Sequence, residues 1–298
     1  MAIEKILDFI TELQKISKHN DFEYYYRGHS DKDFELTPSI YRRRYIWNED
    51  KFFKEIILRT PYDFINEKTA LEKLVKMQHY GIPTRILDIT TNPLVALYFA
   101  CNEFADKEDG EVLVFKIPKA DIKFYDSDTV SILANISKRP YEFEIDSLDK
   151  STKEAFNDEV PIHYLLQEIR EEKPQFLSVI NHEDFARVIA VKVKLYNSRI
   201  IKQNGAFLIF GINGSKKNPA TIPSDWILNL KVKGIDLSTD MSYKKQLLDD
   251  LDALGINEST LFPEIENQAK YLKRQLAKNV PTIRRRSKMP ASNKSDGK

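Results

Sequence analysis

The chain has 298 residues, 46 lysines and arginines against 45 aspartates and glutamates, and 42% apolar residues. That length and apolar share suffice for a sizeable core, and a formal charge of +1 gives no bulk attraction to nucleic acid. A single cysteine, Cys101, excludes a disulfide framework within the chain.

The charge is unevenly spread. Residues 280–298 carry six bases and one acid, and without them 40 basic and 44 acidic residues remain. A mildly acidic folded body over 1–280 and a disordered basic tail over 281–298 are expected. No run of about eighteen apolar residues occurs, and a lone cysteine inside an apolar run suits a reducing compartment. A cytoplasmic chain with no membrane contact is therefore expected.

Ile3, Ile6, Leu7, Ile10, Leu13 and Ile16 fall at helical spacing and predict an amphipathic helix over residues 3–18. The aromatic run FEYYYRG predicts a strand ending on Arg27-Gly28, with Gly28 a place where the backbone turns or nears a ligand. After a turn at Pro38 and the bases Arg42, Arg43 and Arg44, helices are expected at about 49–59 and 66–79. Residues 84–89 read as a short strand or loop, and Thr90 or Thr91 as the cap of a helix with Pro93 in its first turn. From Leu94 to Cys101 that helix is apolar on every side and belongs in the interior, where Ala96 and Ala100 allow close approach.

A strand follows Asp109-Gly110. Residues 121–150 read as irregular, with one helix near 130–136, and a helix follows Pro161. Ile189, Val191, Val193 and Leu195 alternate with Ala190, Lys192 and Lys194 as in a half-buried strand. Gly205 is read as breaking a turn before the strand AFLIF, and another strand spans about 227–232. A leucine stripe closes at Gly255, and a last helix begins near Pro263. One mixed domain accounts for all of these elements.

Scattered histidines and one cysteine offer no metal-ligand spacing, and no nucleophile elbow, GxxxxGK[ST] loop or GxGxxG fingerprint is present. The chemistry-bearing residues gather instead in QHYGIPTRILDITTN, which packs His79, Thr84, Arg85, Asp88, Thr90 and Asn92 into about fifteen positions.

The motifs YRG (26–28), LTPS (36–39), HYGIPTRILD (79–88), NPLVALYFA (92–100), RIIKQNGAF (199–207) and GINESTLFPEI (255–265) occur in that order. The ordered set resembles the FRG domain, a bacterial family named for its (Phe/Tyr)-Arg-Gly motif, over about residues 5–275. The layout is also similar to that of mono-ADP-ribosyltransferases. The resemblance implies an α+β fold, a mixed β-sheet of ADP-ribosyltransferase-like type surrounded by helices, with N- and C-terminal helices packed on it. It implies NAD as substrate and no metal. It further implies a protein or nucleic-acid target, an antitoxin or other regulatory partner, and a role as an intracellular toxin or anti-phage effector.

On that resemblance Arg27, His79, Asp88, Thr90 and Gln203 are the expected catalytic residues, Gln203 standing where such enzymes carry a glutamate. Tyr25, Tyr26, Arg27, Gly28, Thr84, Arg85 and Asn92 are expected to hold NAD. The residue types suit the chemistry, since a guanidinium fork matches phosphate, aromatic rings stack on nicotinamide, and a carboxylate stabilises an oxocarbenium-like ribose. Gln203 supplies no negative charge, so Asp88 or another acid must compensate for an activity to be retained. A non-catalytic module that senses a nucleotide or phage component is the alternative. Structural roles compete at each position: Arg27 paired with an acid, His79 bonded to backbone, Arg85 bridged to Asp88, Thr90 as a cap, Gln203 as a backbone brace and Arg199 as a surface residue.

Overall fold

A curled seven-stranded sheet forms the centre of the computed structural model, which describes residues 2–16, 18–102, 108–236 and 241–278. Its strands are β1 (Phe22–His29), β2 (Ile86–Thr90), β3 (Gly110–Pro118), β4 (Ile122–Phe124), β5 (Val188–Lys192) and β6 (Gly205–Phe210). A separate hairpin of β7 (Ile212–Asn213) and β8 (Ser215–Pro219) precedes the seventh sheet strand, β9 (Ile227–Val232). The order is β4-β5-β6-β2-β1-β3-β9, antiparallel except between β4 and β5. The helices are α1 (Ile6–Lys15), α2 (Glu49–Arg59), α3 (Ala70–His79), α4 (Pro93–Cys101), α5 (Asp128–Asn135), α6 (Lys153–Asp158), α7 (Val160–Glu172), α8 (Ser198–Lys202), α9 (Tyr243–Ala253), α10 (Glu258–Leu261) and α11 (Ile265–Lys278). The architecture is a mixed sheet with helices, α+β.

Three apolar clusters hold these layers together. Leu71 and Leu74 of α3 pack with residues of α5 and α7 on Ile86, Val191, Phe207 and Ile209, covering one side of the β2-β6-β5 half. On the same side of the β1-β3 half, α4 packs with Phe9, Leu247 and Leu251 on Tyr26, Val112 and Val114. The opposite side of both halves is closed by Ala220, Ile222 and Trp226 over Tyr25, Leu87, Leu113 and Leu208. Two separate helical covers on one face leave a seam between α3 and α4.

The sheet parts along that seam. β1 and β2 share one paired position, Tyr26 with Thr90, whereas β1 pairs with β3 along its whole length. Beyond Tyr26 the two strands separate.

Several sequence expectations shift. The first helix starts at Ile6 because Ile3 bridges to Val232 and the Asp8 carboxylate takes the Lys5 N–H. The helix expected from 66 begins at Ala70, where Thr69 and Glu72 form a reciprocal cap. β5 is buried from Val188 to Val191 rather than half-buried, since Ala190 is small enough to face a second apolar layer. Asn204, at φ 49°, makes the turn before β6, and Gly205 lies within the strand. Gly255 ends α9 at φ +80°, as read. The expected tail over 281–298 lies outside the described residues. Among the described residues no helix is long and apolar enough to cross a membrane.

Candidate active site

A cavity of about 220 Å³ occupies the seam. Tyr26–Gly28 of β1, Asp88–Thr90 of β2 and Gly205–Phe207 of β6 form its floor. Val75, Gln78 and His79 of α3 make one wall, and Val95, Ala96 and Phe99 of α4 the other. Arg199, Ile200 and Gln203, in and just after α8, complete it.

Arg27 is fixed across the gap. Strand alternation sends it off β1 on the side of Tyr25 and His29, away from α4, and its Nη1 donates to the Asp88 carbonyl at 2.6 Å. Its Nε donates to His29 Nε2 at 3.0 Å, which makes His29 the acceptor there and places the imidazole proton on Nδ1. Nδ1 then donates to Glu111 Oε1 at 3.1 Å, and Asn229 donates to Oε2 at 3.3 Å. His29 and Glu111 are opposite one another in the β1–β3 register. Burial lowers the pKa of His29, with Arg27 and Arg42 adding to the shift and Glu111 opposing it, so the imidazole is neutral. Burial likewise lowers the pKa of Arg27 against the opposing effect of Asp88.

The remaining polar groups differ in how far they are committed. Gln78 donates from Nε2 to Asp88 Oδ2 at 2.8 Å and accepts from the Thr84 hydroxyl at 2.6 Å, which aims an exposed carboxylate. His79 ends α3, with Nε2 3.6 Å from Glu264, and burial followed by the Arg199 charge lowers its pKa. Arg199 lies over the Phe262 ring at 4.6 Å and has no acid or hydrogen-bond partner for its guanidinium among the described residues. Gln203 is held in place twice: its side-chain amide donates to the Leu261 carbonyl at 3.1 Å, and its main-chain carbonyl accepts from the Thr90 hydroxyl at 2.6 Å.

A second cavity, of about 630 Å³, adjoins the first across Val75, His79 and Ile200. It carries Tyr80, Tyr125 and Tyr196, with Lys76 paired to Glu67 and Lys194 to Glu72.

Residues 22–109 match the family model of the FRG domain. The match covers less than a third of the chain. No curated protein and no solved structure matches the chain. The matched FRG segment supplies Arg27, Gln78, His79, Asp88, Thr90 and Phe99 to the cavity, while Arg199 and Gln203 come from the chain beyond it.

Of the residues expected to act, Arg27, His79, Asp88, Thr90 and Gln203 come together around the cavity, as do Tyr26 and Gly28. Four others are elsewhere. Tyr25 is 1% exposed on the opposite side of the sheet, with its hydroxyl on Glu23. Thr84 is fully buried and braces Gln78 from behind. Arg85 is fully buried against both oxygens of Glu49 and the Phe210 carbonyl, so it neither faces the cavity nor bridges to Asp88. Asn92, not Thr90 or Thr91, caps α4 by accepting from the Leu94 N–H, and Thr90 accepts from the Asn92 N–H.

Gly28 of the FRG motif also serves a different end. A Cβ there would lie 2.0 Å from the Ala96 carbonyl oxygen and 2.5 Å from the Ala100 nitrogen. Its lack of a side chain admits α4, with the two alanines as the other half of the contact. His29 and Glu111 were missed in the sequence, although position i+2 from Arg27 on a strand points to the same side and was the available signal.

Proposed function

We propose that the cavity is the catalytic site of an NAD-dependent ADP-ribosyltransferase acting on a macromolecule, in the manner of a toxin or defence effector. The observation that carries this reading is the meeting of Arg27, His79, Asp88 and the unpaired Arg199 where β1 and β2 part. In this reading Arg199 and the terminal Arg27 nitrogen that does not bond Asp88 hold the pyrophosphate, and Phe99 and Tyr26 flank the nicotinamide. The smaller cavity takes the nicotinamide riboside end, and the adjoining one gives a dinucleotide the length it needs.

The ribose–nicotinamide bond breaks with its electron pair leaving on nicotinamide, and the Asp88 carboxylate stabilises the cationic ribose. His79, kept neutral, accepts the proton of the attacking acceptor group. Incubation with NAD and cell extract is expected to release nicotinamide. Arg27→Ala and Asp88→Asn should each reduce the rate at least about 100-fold, and Asp88→Asn should still bind NAD in calorimetry. Absence of release by the unaltered chain in every extract refutes the transferase reading.

The commitment of Gln203 to Leu261 favours a second reading, a module that binds a nucleotide without turning it over. Under that reading NAD binds, Arg27→Ala abolishes the binding, and Gln203→Glu confers no turnover.

A further inference from the structure

We propose that a surface ladder of Arg44, Trp47, Lys217 and the half-buried Tyr141 binds single-stranded nucleic acid. None of these residues lines either cavity, and the proposal is independent of the transferase reading. The Arg44 guanidinium carbon lies 5.5 Å from the centre of the Trp47 ring system. Trp47 and Tyr141 have ring centres 6.0 Å apart at a 56° tilt, and the Lys217 ammonium is 5.3 Å from the Tyr141 ring. Cation, indole, phenol and cation thus follow one another across the surface. Trp47 is 50% exposed, an unusual position for the largest apolar side chain.

The cations are unspent. Arg43, Arg44 and Lys217 are exposed, and among the described residues none has an acidic partner, whereas many surface lysines elsewhere are paired. Arg43 and Arg44 are both in the left-handed region, at φ 50° and 62°, a conformation L-residues with full side chains adopt at a cost.

The ladder is also preorganised. Its rungs come from three segments far apart in sequence, and one buried group ties all three. Glu49, two residues beyond Trp47, accepts from Lys216, the neighbour of Lys217, at 3.0 Å. The Lys216 ammonium also donates to the Arg139 carbonyl, two residues before Tyr141, and its backbone N–H donates to the Phe143 carbonyl at 2.9 Å. A rigid set of aromatic faces flanked by cations matches unstacked bases joined by phosphates. Bases inside a duplex are already stacked and cannot use it.

Trp226 is 4% exposed, so quenching of the protein's fluorescence by an oligonucleotide reports on Trp47. The full chain should be titrated with a 12-nucleotide oligo(dT) and with a duplex of the same length, and anisotropy of labelled oligo(dT) should follow the variants. The expected result is quenching and binding by oligo(dT), with about three phosphate contacts giving a log–log salt slope of about −2. Trp47→Ala should weaken binding about tenfold and Trp47→Phe should largely restore it. Arg44→Gln and Lys217→Gln should each lower affinity severalfold with the circular dichroism spectrum unchanged. Equal affinity for the duplex, unaltered binding by Trp47→Ala, or no binding at all overturns the proposal.

Discussion

His29 is the residue on which the geometry of Arg27 depends. Its Nε2 accepts the Arg27 Nε–H only while the imidazole is neutral, and its Nδ1–H must reach Glu111. A glutamine can reproduce both bonds, one with its oxygen and one with its nitrogen, whereas leucine leaves a guanidinium nitrogen and a carboxylate without their partner. His29→Leu is therefore expected to cost about 1–3 kcal/mol in urea unfolding, and His29→Gln much less. Because the folded imidazole takes up its proton less readily than the unfolded one, the unfolded chain binds more protons as the pH falls below about 6.5. The stability tied to neutral His29 is therefore complete above that value and lost as the pH falls through the lower folded value. The stability advantage of the unaltered chain over His29→Gln should therefore narrow with acidification, and parallel curves would show that His29 does not titrate there. This dependence was hidden in the sequence because its partner Glu111 is supplied by strand register. Arg85 was misread for a related reason, since its acid, Glu49, is 36 positions away and adjacent only in the fold.

At the scale of elements, α4 and β1 behave as one unit. The apolar run from Leu94 to Cys101 was legible as an interior helix because no side of it could meet water, and Cys101 within it is buried, its thiol pushed up to about 12. What the run could not reveal was the identity of its neighbour. Gly28 read as a ligand contact, yet the backbone of α4 occupies the space where a Cβ would stand. Backbone atoms cannot rotate aside as a flexible side chain can, so Gly28→Ala must push α4 away from β1. A loss of about 3 kcal/mol is expected in denaturant unfolding, with the cavity wall at Ala96 and Phe99 displaced along with the helix. Asn92→Ala provides a contrast at the same helix: losing the cap should cost about 1 kcal/mol and leave NAD affinity unchanged, because Asn92 does not line the cavity. A large loss of affinity in Asn92→Ala with the fold intact would return this residue to the binding set.

For the whole molecule, the buried group of Glu49, Arg85 and Lys216 connects segments that the apolar clusters alone do not place precisely. Arg85 joins the start of β2 to Glu49 at the start of α2 and to the Phe210 carbonyl at the end of β6, and Lys216 brings β8 and the loop at 137–139 to the same carboxylate. All three side chains are at most 2% exposed, so each charge is tolerated only through its partners. Burial by itself would raise the Glu49 pKa, but Arg85 and Lys216 outweigh it and hold the carboxyl below its ordinary range. Glu49→Gln leaves two buried cations sharing a neutral amide and is expected to cost about 3–5 kcal/mol. Replacing the three together with Leu, Met and Met should recover much of that loss, since no unpaired charge then remains in the interior. The paired carboxyl also resists protonation more than its unfolded counterpart, so its contribution persists above about pH 4.3 and disappears as the pH falls through the depressed folded value. The apolar triple variant should accordingly show a flatter acid limb in thermal unfolding than the unaltered chain. Fixed positions for Trp47, Tyr141 and Lys217 depend on the polar group and not on burial alone. The triple variant should therefore remain folded and yet lose affinity for oligo(dT); equal affinity would show that the triad contributes stability without ordering the surface above it.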